Sequence, residues 1–576
     1  MVSSPPKTPK GSLGNRWAMA RALRAMPARG FQSQPEPRSV GLYARGRQLI
    51  AGNALFGGQV VQLGAGSLWD IVQPDPGQAD DIHGFRWLDD LAAVGDGAAR
   101  VKAQGWLWEW IARYGNGKGP GWSPDLTGRR LIRWINHALF LLSGRDKAQS
   151  DAYYAQVTAQ TVFLSRRWKH AAPGLPRFEA LTGLVSASLA LTGMEHLLIP
   201  ALAALSAECG REVDRQGGIP TRSPEELLEV FTLLTWAERA LAEAGQLAPE
   251  PLVSAIQRIA PTLRALRHAD GGLARYHGGG RGMEGRLEQA LAAAGVKPAA
   301  TGGQGLAMGF ARLQGGRTTI VIDAAPPPDG LAGGRAHAST LAFELTSGRR
   351  PLIVSCGSGA PFGPEWRMAG RATPSHSTLA VEGFSSSRLK AGGEVMTDRA
   401  MVDHVRLGAG EGGPFFSAVH GGWAATHGLS HLRTLTLAQD GRRVIGQDSL
   451  LAMTPAQKAR FERLMTEGRL TGVGFALRFH LHPDVDAALD MGGTAVSLAL
   501  KSGEIWVFRH NSKAILSLDP SVYLEKGRLK PRPTRQIVLS GRAMEFETPL
   551  GWTLAKAQDT PLAIRDLDRE EALPPL

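Results

Sequence analysis

The stretch "GVKPAATGGQG", Gly295–Gly305, divides the chain into two halves with different hydrophobic periods. Before it, apolar residues recur at helical spacing. In "SPEELLEVFTLLTWAERALAEAG", Ser223 is placed to cap a helix, Pro224 takes the first helical position and Glu226 completes a capping box. Leu227, Val230, Leu234, Ala237 and Leu241 then share one face. "GFRWLDDLAAVGDGAARVKAQGWLWEWIARYG", "LTGRRLIRWINHALFLLSG" and "FEALTGLVSASLALTG" read the same way, the last with small residues that let helices approach closely. Short turns between such helices predict antiparallel hairpins stacked into an α/α array, an incomplete toroid. After the joint the period falls to two. "RTTIVIDAAPPPDG", "TLAFELTSGRRPLIVSCGSG", "HLRTLTLAQDGRRVIGQDSLL" and "FALRFHLHPDV" are strands punctuated by Gly, Asp-Gly and Ser-Gly turns.

The chain therefore reads as a multidomain α+β protein, an α/α helical array followed by an antiparallel β-sandwich. Residues 1–84 form an N-terminal extension with a short strand pair at "RSVGLYARG" and "NALFGGQVVQLG". Residues 85–295 form the helical domain, 296–305 a linker, 306–560 the sandwich and 561–576 a tail.

Of the 576 residues, 43% are hydrophobic and 20% charged, and the balance is +13. A basic surplus suits polyanionic partners: nucleic acid, acidic polysaccharide or an anionic membrane surface. No basic run with interleaved aromatics and no nucleic-acid module spacing is present, which favours acidic polysaccharide over nucleic acid. Arginine enrichment without a partner is the alternative. Two cysteines make no disulfide framework. The first thirty residues are basic but lack a continuous apolar core, and no apolar run reaches about 18 residues. A cytoplasmic or peripheral protein without a transmembrane segment is expected. Its oligomeric state is not legible.

Two polar clusters stand out. "RHADGGLARYHGGGRGMEG" puts Arg267, His268, Asp270, Tyr276, His277 and Arg281 on a Gly-rich loop between helices, where binding groups concentrate. "GGRAHASTLAFEL" sets His337 and Arg335 on a Gly-flanked turn entering a strand; an extended turn would place the two on one face. His480 and His482, two apart, share a strand face, where packing is favoured over a metal pair. Trp106, Trp108 and Trp110 read as core and rim.

The combination resembles the heparinase II/III family of polysaccharide lyases. "GGRAHASTLAFELTSGRRPLIVSCGSG" is similar to that family's Gly/His-rich turn and following strands, and "RATPSHSTLAVEG" to a later strand, with His376 at the family histidine. The resemblance implies β-elimination on a uronic-acid glycan and a periplasmic or cell-envelope location. Such a reaction needs a group that neutralises the carboxylate, a base for the carbon-bound proton and an acid for the departing oxygen. His337, Tyr276, His277 and Arg335 are the candidate catalytic residues. Arg222, Arg267, His268 and Arg281 are the candidate substrate-binding residues, in a cleft expected to be lined by basic groups.

The departures are as specific as the match. The turn pattern His-x-His-x-Asp is here Arg335, His337 and Ser339. The metal aspartate falls at Ser355, beside Cys356, and the catalytic tyrosine position holds Glu226. His337 and His376 remain as ligands for a divalent metal, Zn or Ca, with the Cys356 thiolate as a further donor. Three functions follow: a lyase for an acidic glycan, an impaired glycan-binding or cell-envelope scaffold with the lyase fold, and an enzyme of altered specificity on the cell's own envelope glycan.

Overall fold

A computed structural model describes residues 13–33, 36–64, 66–71, 76–297, 305–389 and 394–560. The expected tail and most of the expected linker lie outside the described residues.

Helices fill the first half, from Leu13–Ala22 to Arg286–Ala294. In Pro224–Glu243 the five residues read as one face are all fully buried. The capping box does not form. Ser223 is the N-cap but its side chain makes no capping bond. The small residues act where helices Pro124–Asn136 and Leu175–Ala190 cross: a Cβ on Gly183 would fall 2.6 Å from the Gly128 Cα. Gly183→Leu therefore has to push two helix backbones apart. Urea unfolding should show a loss of about 3 kcal/mol, the upper range for overpacking.

Aromatic rings make the centre of this half. Phe85 lies 4.7 Å from Trp87 and 5.3 Å from Trp134, ring centre to ring centre. Trp106 and Trp110 are buried here too, with Trp108 half-buried at the rim. Arg130 is fully buried among them with no carboxylate in contact: its guanidinium lies 4.2 Å over the Trp110 ring and donates to Gln160 and to the His83 and Gly121 carbonyls.

The N-terminal segment differs from the reading of its sequence. "RSVGLYARG" supplies the start of a helix, Tyr43–Ile50, because Gly46 lets it lie directly on helix Arg86–Val94. A Cβ at Gly46 would be 2.2 Å from the Asp90 carbonyl oxygen. The strand pair forms wholly within the second stretch, Asn53–Phe56 against Gln59–Gln62. Its turn, Gly57–Gly58, has φ of 58° and 83°, a conformation glycine adopts without strain. The turn touches Pro361 of the sandwich half, where a Cβ on Gly58 would be 2.5 Å away.

The second half is a sandwich of two antiparallel sheets. One runs in the spatial order Phe310–Gly315, Thr318–Asp323, Phe343–Ser347, Arg350–Val354, Val473–Leu481, Arg532–Ala543, Ile515–Tyr523, with Leu379–Val381 also paired to Val473–Leu481. The other begins at Val402–Gly410 and ends spatially at Val485–Asp490. Alternate residues interlock between them: Phe343 stacks on Trp552 at 5.9 Å, and Phe479 meets Trp552 edge-on at 4.8 Å. The helical core does not end at the joint. Phe310, Val321 and Ala342, from the first strands of the sandwich and the turn between them, belong to it.

Candidate functional site: a histidine cluster sealed between the two halves

The Gly-rich loop lies between helices Glu250–Ala265 and Arg286–Ala294, as its sequence suggests, but its polar groups point into the sandwich. His277 and Gly278 are both left-handed, at φ 49° and 78°, which folds the loop against the turn carrying His337. Only glycine fits at 278, since a Cβ there would be 3.1 Å from the Arg335 Cβ. Two reciprocal bonds join the loops: the His337 backbone N–H donates to His277 Nδ1 at 3.2 Å, and the Gly278 N–H donates to His337 Nε2 at 3.1 Å.

His376 completes the cluster, its ring 5.2 Å from that of His337 and its Nδ1 3.1 Å from Ser355 Oγ. Beneath lies Asp323, which accepts from Arg222 Nη2 and Ser339 Oγ, both at 2.6 Å, and faces His277 Nε2 at 3.5 Å. His277 and His376 are fully buried and His337 is 2% exposed. Burial, reinforced by neighbouring cations and imidazoles, holds all three well below the ordinary histidine pKa. They are neutral, and cannot themselves offset a substrate carboxylate.

The other predicted residues are brought near this cluster, but with their polar groups already engaged. Tyr276 is fully buried, its hydroxyl 3.2 Å from both the Val321 and Ala342 carbonyl oxygens, and burial raises its pKa well above the ordinary value. That suits the phenol to bracing the interface rather than to proton transfer. Arg222 is no open carboxylate clamp: it donates to the Met308, Gly309, Ala325 and Pro326 carbonyls and to Asp323. His268 bonds Thr346 and Glu344, Arg267 pairs with Glu288, and Arg281 with Asp270. Arg335 and His337 do not share a face, because residues Gly330–Arg335 form a 3-10 helix instead of an extended turn; Arg335 is exposed while His337 turns inward. The rim is not the basic cleft expected: Glu225 pairs with Lys526, and half-buried Glu226 lies in the field of Arg335.

A metal does not fit these residues. His337 Nδ1 and His376 Nε2 are buried without partners, but Ser355 is committed to His376. Cys356 turns away toward His480 Nδ1, 3.5 Å off, and burial pushes its thiol up to about 11, so no thiolate is at hand. Among the described residues no group of three or more His, Cys, Asp or Glu side chains is arranged to hold a metal ion. His480 and His482 pack as read: His480 between Ser521 and the Pro374 carbonyl, His482 edge-on to Tyr523.

Three residues of the interface were not singled out from sequence. Asp323 was signalled by an acid closing the apolar run "TTIVID". Arg275 lay inside the quoted loop. It donates to the Ser355, Cys356 and Leu524 carbonyls and lies 3.9 Å over the Tyr523 ring. Glu344, on a core strand, accepts from His268 and from the Arg275 and Ser355 N–H groups. The interface retains a cavity of about 30 Å³ beside Arg275, Glu344 and Tyr523, the share of about one water molecule.

A helical array closed onto a two-sheet sandwich, with histidines at the junction, is the arrangement the sequence resemblance implied. The chain belongs to the heparinase II/III-like family: the profile "Heparinase II/III-like, C-terminal" matches residues 297–553. Among curated proteins it is 31% identical over 546 residues to FtsZ-localized protein C of Caulobacter vibrioides (strain NA1000 / CB15N), covering 92% of this chain and 91% of the relative. Among solved structures it shares its fold with heparinase III (TM-score 0.67, 12% identity, 94% of this chain and 89% of the other). The heparan sulfate lyase HepC of Pedobacter heparinus is similar too (TM-score 0.56, 13% identity, 95% and 88%). No helix among the described residues is long and apolar enough to cross a membrane.

Proposed function

We propose that this protein is a non-catalytic member of the lyase-fold family, an acidic-glycan-binding scaffold of the cell envelope that is placed with FtsZ. The observation that carries this reading is the closed interface. His277, His337, His376 and Tyr276 are buried between the halves, and the cavity beside the neighbouring Arg275 and Glu344 is about 30 Å³, far below the 300 Å³ or more of ordinary ligand pockets. Opening it means breaking the bonds of Arg222, Arg275 and Tyr276 to the sandwich together. Glu226 at the family's tyrosine position and Ser355 at its metal aspartate point the same way. The basic surplus supports an acidic glycan as ligand, and the relative's name, FtsZ-localized protein C, supports placement with FtsZ.

The elimination reading retains one favourable observation: His337 and His376 are present and neutral, the form a general base requires. One assay separates the two. Incubated with heparan sulfate and with polyuronates, the protein should give no rise in the ultraviolet absorbance of unsaturated uronate while still binding the polymer in a salt-sensitive manner. A sustained rise that His337→Ala abolishes would establish turnover and end the non-catalytic reading.

A further inference from the structure

The outer face of one sandwich sheet carries a hollow whose lining includes none of the clustered histidines. Solvent-facing positions of a sheet ordinarily bear large polar or β-branched side chains. Here four neighbouring positions on three strands are small. Ala476 sits opposite Ser540 on one side and Ala380 on the other, and Gly474 lies two residues before Ala476. Their missing bulk leaves a cleft of about 500 Å³, within the range of small-ligand sites.

Its walls are not random surface. Ile515, paired with Ser540, and Phe384 stand at the rim with 71% and 42% exposure. Arg478 closes one end. Its Nη1 donates to Gln536 at 3.3 Å, but its Nε is buried with no partner, and burial draws the guanidinium below its ordinary pKa. Nε faces the protein, so what the hollow meets is the charge of the guanidinium, partly offset by the field of Asp519, and a carboxylate is the group that charge favours. Arg542 is held by the Thr471 and Gly472 carbonyls and pairs with Glu382 at 3.9 Å, the one acid among the lining residues, whose carboxylate lies over Gly474; the two charges offset each other and leave Arg478 as the cation of the hollow.

The backbone argues for a ring rather than an added strand. Leu379–Val381, Val473–Leu481, Arg532–Ala543 and Ile515–Tyr523 are paired to one another across the floor. The floor itself is a closed ladder, and only its outer strands, Leu379–Val381 and Ile515–Tyr523, keep an open edge that an extended peptide could join. Recognition must come from side chains and a flat floor, with Ser385 and Ser540 hydroxyls available at the lining.

We propose that this hollow is a binding subsite for a carboxylate-bearing sugar residue, gripped by Arg478 over the Gly474–Ala476–Ala380–Ser540 floor. The assignment rests on the acidic-glycan reading above and locates its ligand outside the family's interdomain cleft.

Titration calorimetry of the full chain with tri-galacturonate, and with its carboxyl-reduced neutral counterpart, tests it. Wild type should bind the acidic trimer and bind the neutral one at least tenfold more weakly. Arg478→Gln should weaken the acidic trimer tenfold or more, and Ala476→Tyr, which fills the hollow with a strand-compatible ring, should abolish binding. Arg443→Gln, an exposed position on the other sheet, should bind as wild type does. Unfolding curves of each variant establish that it is folded; Arg478→Gln, a half-buried polar exchange, serves if Ala476→Tyr is not. If both variants bind like wild type, the subsite is wrong while the glycan reading stands. If the neutral trimer binds equally, the carboxylate assignment is wrong. If wild type binds neither trimer, the subsite and the reading beneath it fall together.

Discussion

Acidification from pH 7 to 5 should unfold this protein. Among the described residues eight buried histidines have depressed pKa values: His480 drawn down to about 4, His83 and His482 to about 3, His277, His337, His376 and His420 well below the ordinary value, and His431 lowered as well. In the unfolded chain each takes a proton near pH 6.5, while in the fold each resists until its own lower pKa. The stability this represents is fully present above pH 6.5. It is lost as pH falls toward the folded values, at about 1.4 kcal/mol per pH unit for each group. The geometry explains the resistance. His277 Nδ1, His337 Nε2, His420 Nδ1 and His482 Nδ1 each accept a backbone N–H, a bond that protonation at that nitrogen destroys.

Five carboxyls among the described residues oppose the trend: burial raises Glu179 to about 7 and Asp90 to about 6, and lifts Asp80, Glu212 and Glu226 above the ordinary value, so these gain stability as they protonate. The imidazoles outnumber them, and folded proteins hold only about 5–15 kcal/mol in reserve. Circular dichroism and tryptophan fluorescence should therefore show a cooperative loss of structure with a midpoint between about pH 5 and 6. A chain still native at pH 4.5 would mean the interface accepts protons without opening.

The second large effect is expected inside the sandwich. Asp448, fully buried, accepts from Arg433 Nε at 2.7 Å, His431 Nε2 at 2.6 Å and Trp552 Nε1 at 2.9 Å, and Arg433 holds its carboxyl well below the usual range. The same guanidinium donates to the Leu341 and Ser377 carbonyls, joining both sheets. Arg433→Ala leaves a buried carboxylate without its cation and two carbonyls without a donor. The expected loss is about 3–5 kcal/mol, measured by denaturant unfolding at pH 7.5. Asp448→Asn should cost a comparable amount, and the double variant less than the sum, because the two side chains share one network. Additive losses would show that they stabilise independently.

What could be read from sequence divides along a physical line. The face of helix Pro224–Glu243 and the alternation of the strands are local periodicities, set by which residues meet the core, and both appear where read. Direction across the chain is not local. Arg222 meets Asp323, 101 residues on, and Arg275 meets Leu524, 249 residues on. Nothing in the spacing of the Gly-rich loop says whether its polar groups face a cleft or a second domain. Glu226 shows the same limit at short range: its spacing from Ser223 suited a capping box, but no capping bond forms and the carboxyl lies instead in the field of Arg335. The strand expected near Tyr43 failed because Tyr and Val suggested β structure while Gly41 and Gly46, the residues that permit close helix packing, decided the outcome.

Phe310, Val321 and Ala342 are the last pieces of the helical core, yet they lie beyond residue 305. During synthesis the first three hundred residues leave the ribosome with an apolar face that nothing yet covers. Such transient exposure is where chains aggregate or engage chaperones. The nascent helical half thus has to wait for the first sandwich strands before it can finish folding. Its yield in a cell will depend as much on how fast translation crosses the joint as on the stability of the finished protein.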